Sequence, residues 1–268
     1  MIEFIEELKM RNEALYYFGL VCLGFSCLFL LLSFLTDTQV YNISAWYKPM
    51  KFSLSTWLFV WAMGWYCYYL RDFNTIPFNY STIVLLGFEI LYIAIQAGRG
   101  QLSHFNIGSP FSSIMYSLMA LAATSVTVYT AYIGYLFFTS EFPDLPGYYV
   151  SSIRWGILLF VIFAFEGFVM GSKLTHTIGG ADGGIGIRFL NWSTKYGDPR
   201  VSHFIGMHAL QILPIISWYI LKNRTYTTVA IVLYAMLAVF TLYQALQGRP
   251  FIKINEVKKE THQTWNNT

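Results

Sequence analysis

The sequence predicts an all-α protein, a seven-helix transmembrane bundle with a polar pocket at one membrane face. Three observations carry that expectation. Of 268 residues, 56% are hydrophobic and only 12% charged, about half the charged share of a soluble domain and too few to cover a globular surface. Seven apolar stretches come close to or exceed the ~20 residues that a membrane crossing needs. The polar residues gather in the connections on one side of those stretches. A net charge of +3 is too small to argue for nucleic acid. Cys22, Cys27 and Cys67 lie in apolar runs without CxxC spacing, which excludes a disulfide framework and a thiolate zinc site.

Stretch 14–35 follows a basic flank, Lys9 and Arg11, but is too long for a signal peptide and has no A-x-A site. It reads as an anchor. Stretch 52–70 is closed by Arg71-Asp72, and 81–98 by the Gly98-Arg99-Gly100 turn. Stretch 113–138 ends before Pro143 and Pro146, and 152–171 runs toward the glycine-rich loop 179–186. Stretch 203–221 is closed by Lys222-Asn223-Arg224, and 227–246 by Gly248 and Pro250. Pro214 should kink the sixth. All are too uniformly apolar for barrel strands, which alternate over about ten residues. Residues 1–250 thus form the membrane domain, and 251–268 a polar, loosely ordered tail.

Seven crossings put the termini on opposite sides. Side A, with loops 36–51, 99–112, 172–202 and 247–268, holds Lys/Arg at 48, 51, 99, 173, 188, 195, 200, 249, 253, 258 and 259. Side B holds them at 9, 11, 71, 154, 222 and 224. The positive-inside rule then places side A and the C-terminus in the cytoplasm and the N-terminus outside. The margin narrows if Lys48, Lys51, Arg99, Lys173 and Arg200 serve a site.

Side A collects the chemistry: Lys48, Lys51, Arg99, Gln101, His104, Lys173, His176, Asp182, Asp198, Arg200, His203 and His208. Helical spacing carries the polar stripe into the membrane. Glu89, Tyr92 and Gln96 share a face leading to Arg99, and Glu166 shares one with Lys173. At 1.5 Å per residue, Glu166 and His208 lie about 9 Å below side A, and Glu89 about 14 Å below. Ionisable groups in hydrocarbon are costly and usually face an interior with a partner.

His203 and His208, five apart, point about 140° away from each other on a regular helix, so HxxxH ligation is absent. They converge only if His203 precedes the first regular turn, or if His176 or His104 supplies a group between them. Imidazoles with Glu166 or Asp198 would suit zinc or non-haem iron, and two facing histidines would suit a haem. The glycines of 179–186 suggest a tight lid over side A, with Asp182 free for polar contacts. Asp198-Pro199-Arg200 should start a helix, with Ser202 as a cap.

The motifs Trp46-Tyr47-Lys48-Pro49-Met50-Lys51-Phe52 and Asp198-Pro199-Arg200-Val201-Ser202-His203-Phe204-Ile205-Gly206-Met207-His208-Ala209-Leu210-Gln211 resemble an uncharacterised group of bacterial integral membrane proteins. That resemblance implies a bacterial inner membrane and carries no activity with it. Rhodopsins hold retinal on a lysine in the last helix, and 227–246 contains none. Ceramidase-like and adiponectin-receptor-like hydrolases are similar in architecture alone, since their late HxxxH is missing.

Two functions are expected. The first is a membrane enzyme or redox protein with a metal ion (zinc or iron) or haem held by His104, His176, His203 and His208. In it Glu166 and Asp198 are catalytic, and Lys48, Lys51, Arg99, Gln101, Lys173 and Arg200 bind a lipid-like or quinone-like amphiphilic small molecule. The second is a proton- or ion-coupled transporter or channel using Glu89, Gln96 and Glu166. The lipid bilayer is a partner in both, and neither implies an oligomeric state.

Overall fold

A computed structural model describes residues 2–184, 186–187 and 189–254. Arg188 and the tail residues Lys258, Lys259 and His262 lie outside the described residues. Among the described residues eight α-helices follow one another: α1 (Ile2–Arg11), α2 (Glu13–Leu35), α3 (Tyr47–Cys67), α4 (Thr75–Gly98), α5 (Pro110–Thr139), α6 (Gly147–Lys173), α7 (Arg200–Ile216) and α8 (Arg224–Leu246). A two-residue hairpin, β1 (Gln39–Val40) with β2 (Ile43–Ser44), sits between α2 and α3.

Helix starts follow side-chain capping. Asn12, Asn74, Ser109 and Asn223 each accept a first-turn amide at the N-termini of α2, α4, α5 and α8, satisfying donors that the helix itself leaves unpaired. At α7 the expectation is corrected. Ser202 donates to the Pro199 carbonyl inside the first turn, and Asp198 Oδ1 is the group that accepts the Arg200 amide at 3.1 Å. Pro214 lies inside α7, and the regular helix passes into a π-helical turn at Ser217–Leu221.

Among the described residues, six helices are long and apolar enough to cross a membrane: α2, α4, α5, α6, α7 with its π turn, and α8. Seven were expected, and α3 is the difference. It has 21 residues, but Ser53, Ser55, Thr56, Trp57, Trp61, Trp65 and Tyr66 lower its apolar character. Its position explains those residues, because α3 packs against α1, α2, α4 and α7 and so sees protein on several sides. The main core gathers Val60 and Met63 of α3 with Leu15, Phe78, Ile133, Phe137, Ile153, Ile157 and Leu210. The outer faces are apolar as well: Leu233, Met236 and Phe240 of α8 are 60–61% exposed, a surface suited to lipid tails.

The helix α1, absent from the sequence expectation, closes side B. Its Phe4 stacks on Trp65 at 5.0 Å, and Leu8 is fully buried. Arg11 lies over the rings of Trp65, Tyr68 and Tyr69 at 3.8–4.8 Å and pairs with Glu7 at 2.8 Å. Asn12 and Asn79 exchange amide hydrogen bonds at 3.0 Å, tying the start of α2 to α4.

Candidate functional site

Side A is organised by the long connection between α6 and α7. Leu174, in a left-handed conformation, ends α6, and the chain returns through a bridge between Ile178 and Gly197. A Cβ on Gly197 would sit 1.9 Å from the Ala245 carbonyl of α8, so only glycine lets the loop dock there. Asp182 makes its polar contacts within the loop itself. Its carboxylate accepts the His176 backbone amide at 2.9–3.0 Å, the His176 ring at 2.8 Å and the Thr177 hydroxyl at 3.0 Å. The loop therefore folds back on itself and holds one imidazole.

Asp198 anchors the other end of the same connection, where it holds Arg200. It is 1% exposed and binds Arg200 through two parallel contacts, Nε to Oδ1 at 2.8 Å and Nη2 to Oδ2 at 2.6 Å. It also accepts the Ser193 amide at 2.7 Å. A two-point Arg–carboxylate contact fixes orientation as well as charge.

Between these two anchors and the start of α3 lies a cavity of about 150 Å³, room for a few waters or one small polar group. Lys48, Lys51, Gln101, Ser103, His176, Asn191 and Arg200 contribute its polar wall, with Tyr41 and Ser44 from the hairpin. Lys51 Nζ donates to the Leu190 carbonyl at 2.9 Å. Lys48 has no hydrogen-bond or ion-pair partner among the described residues.

Both lysines precede the apolar run 52–70. Burial lowers Lys48 to about 7, and the charges of Arg200 and Lys51 add to the shift against a smaller opposing pull from Asp182. Lys51 is lowered to about 8 by burial and by Arg200, with Asp198 opposing. Burial also holds His176 at about 4, although Asp182 pulls it upward. His104 lies well below its ordinary value through burial and the nearby charges of Lys48 and His176. Burial alone would raise the Asp182 carboxyl, but the His176 ring and backbone bonds hold it well below the usual range. At neutral pH His176 is thus an uncharged imidazole whose Nδ1–H points to a carboxylate, leaving Nε2 as the basic nitrogen.

The other expected residues divide into separate places. Arg99 and Gln96 line a second, larger cavity, with Gln101 between the two. Lys173 is exposed. His203 Nδ1 lies 2.7 Å from the Phe163 carbonyl and 3.4 Å from Glu166 Oε2; neither Glu166 oxygen has a hydrogen-bond partner. The basic neighbour of Glu166 is thus His203, while Lys173, expected on the same face, is exposed. His208 instead approaches Ser55 at 3.4 Å and Gln211 at 3.3 Å. His104 contacts Ser103 at 3.2 Å and packs on Tyr116. Glu89 is 2% exposed, and its Oε1 has no partner.

The four expected histidines thus have four different surroundings. His203 stands in regular helix, so it and His208 diverge as their spacing dictates. Among the described residues no three His, Cys, Asp or Glu side chains are placed to hold a metal ion. His104, His176, His203 and His208 therefore do not assemble a three-ligand site for zinc or iron.

Sequence reasoning missed Asn191, Ser103, Ser44 and the pairing of His176 with Asp182. The last had a signal: a loop with several glycines can turn an aspartate back on a histidine six residues earlier. Comparison with protein-family models, with curated proteins and with solved structures returns no match.

Proposed function

We propose that this chain is a seven-crossing membrane protein that binds an amphiphile with an anionic head in the side A cavity, the stretch 52–70 being the seventh crossing and the first turn of α3 lying outside it. The carrying observation is the charge of that cavity. Lys48, Lys51 and Arg200 meet there, while the acidic groups acting on the two lysines are Asp182 and Asp198. Both carboxylates already accept hydrogen bonds from within the protein. One net positive charge remains, with the two lysine ammonium groups as donors for a ligand. A buried cationic cavity at the end of a lipid-embedded bundle suits a lipid-like molecule with an acidic head better than the neutral head of a quinone.

Neutral His176 adds a chemical role. Held by Asp182 through Nδ1, it would accept a proton at Nε2 from a hydroxyl or a water brought against the bound head. This favours an acid–base enzyme acting on that head over a binding protein alone. The cytoplasmic placement of side A follows the lysine and arginine count, and the bacterial inner membrane follows from the motif resemblance. The transporter reading keeps one supporting observation, two buried glutamates, Glu89 and Glu166, with carboxylate oxygens that accept no hydrogen bond.

The test is thermal melting of the purified protein with a short-chain phosphatidate and with the matching neutral diacylglycerol. The account expects stabilisation by the phosphatidate alone, lost in Lys48→Met. Equal stabilisation by both lipids, or an unchanged response in Lys48→Met, would contradict it.

A further inference from the structure

The second cavity on side A lies where α4 ends and α5 begins. It is larger, about 460 Å³, within the range of small-molecule sites. Gln96 and Arg99 come from the end of α4, Gln101 and Asn106 from the following loop, and Ser109 and Ser112 from the start of α5. The Arg99 guanidinium has no hydrogen-bond or ion-pair partner among the described residues.

The same cavity is lined by the N-terminus of a 30-residue helix, opened by Ser109 and Pro110, whose end carries partial positive charge. A second, independent feature points to a ligand. Gln96 is 2% exposed; its Nε2 donates to the Tyr92 hydroxyl at 2.8 Å, and its Oε1 has no partner. A buried acceptor left in this way calls for a donor from outside the protein. Ile95, Ile107 and Phe111 are exposed around the same end of the two helices, an apolar flank that suits acyl chains.

We infer that this cavity holds the head of a bilayer phospholipid, its phosphate on Arg99 and the start of α5, and a head-group donor on Gln96 Oε1. The chemistry selects among lipids. Glycerol and ethanolamine heads carry hydrogen-bond donors and choline carries none. The site is distinct from the Lys48 cavity, with Gln101 as part of the wall between them.

Native mass spectrometry of the detergent-purified protein tests this, with equal amounts of phosphatidylglycerol, phosphatidylethanolamine and phosphatidylcholine added. The wild type should retain one phosphatidylglycerol or phosphatidylethanolamine about fivefold to tenfold over phosphatidylcholine, the worth of one hydrogen bond. Arg99→Met should lose that lipid, and Gln96→Leu should keep a lipid without the preference. Equal retention of phosphatidylcholine by the wild type, or an unaffected Arg99→Met, would overturn the inference. Displacement of the lipid by free glycerol phosphate at concentrations matching short-chain phosphatidylglycerol would overturn the lipid assignment too. Lys48→Met leaves Arg99 and Gln96 in place, so the two sites fail independently.

Discussion

The Tyr66 hydroxyl donates to the Leu210 carbonyl at 2.8 Å, and Leu210 is the residue whose i+4 partner, Pro214, has no amide to give. A tyrosine of α3 thus occupies the acceptor that a proline inside α7 leaves open. Tyr66 is 4% exposed and Leu210 fully buried, so water does not compete for the bond.

Tyr66→Phe should therefore destabilise the protein by about 1–3 kcal/mol, the cost of a buried acceptor left unpaired. In a Pro214→Ala background the helix regains its own amide, and the same substitution should cost less than about 1 kcal/mol. A double-mutant cycle by unfolding in mixed micelles measures the coupling. Additive effects would show that the bond does not compensate for the proline.

Arg154 of α6 donates to the Phe137 and Ser140 carbonyls at 2.7 and 2.9 Å, covering the C-terminal end of α5. A cation there meets both unpaired carbonyls and the negative end of the helix. Arg154→Met should lower stability by about 2 kcal/mol without changing ligand binding on side A. A loss of binding at unchanged stability would place Arg154 in the site.

The His176–Asp182 pair sets an acid dependence. An unfolded histidine titrates near 6.5, whereas burial holds His176 at about 4. Between those values only the unfolded chain gains the proton, so stability should fall as pH drops from about 6.5 to 4. Asp182 is held low, so its contribution is present above the unfolded carboxylate value, near 3.9, and is lost as pH falls further. Asp182→Asn should cost about 1.5–3 kcal/mol at pH 7, and the gap to wild type should close only below about pH 4. A gap that closes near pH 6 would rule out this pairing.

Lysines at about 7 and about 8 make anion binding pH-dependent in the opposite sense. The ligand needs charged ammonium groups, so binding above pH 7 must first protonate Lys48. Affinity for a phosphatidate should weaken by up to about tenfold per pH unit between 7 and 8 and by up to about a hundredfold per unit above 8, where both lysines must take up a proton on binding. Affinity that stays flat from pH 7 to 9 would remove Lys48 from the site.

Much of this was legible in the sequence, for a physical reason. Apolar runs report helices because a lipid-exposed backbone satisfies itself within a helix, and the six crossing helices fall on expected stretches. The seventh expected stretch falls on α3, whose Trp57, Trp61, Ser53 and Thr56 lie in a helix packed against α1, α2, α4 and α7. Lys48, Lys51, Gln101, His176 and Arg200 were identified from their clustering on side A, and they line one cavity.

The partners were not legible. Asp182 reaches His176 through a turn that no helical period describes, and Asn191 enters from a loop. Helix α1 was overlooked because its ten residues are too few for a crossing; Phe4 and Arg11 pack it on aromatic residues and Leu8 is buried. Spacing was a sound guide for His203 and His208, which diverge as five residues of regular helix require.

The most direct measurement is calorimetric titration of a short-chain phosphatidate into the detergent-purified protein and into the Lys48→Met/Lys51→Met variant at pH 7. The account predicts one-to-one binding in the wild type, weakened at least about a hundredfold in the variant on the scale of two charge-assisted contacts, with thermal stability retained. Binding of equal strength in both proteins, or none in the wild type, would contradict it.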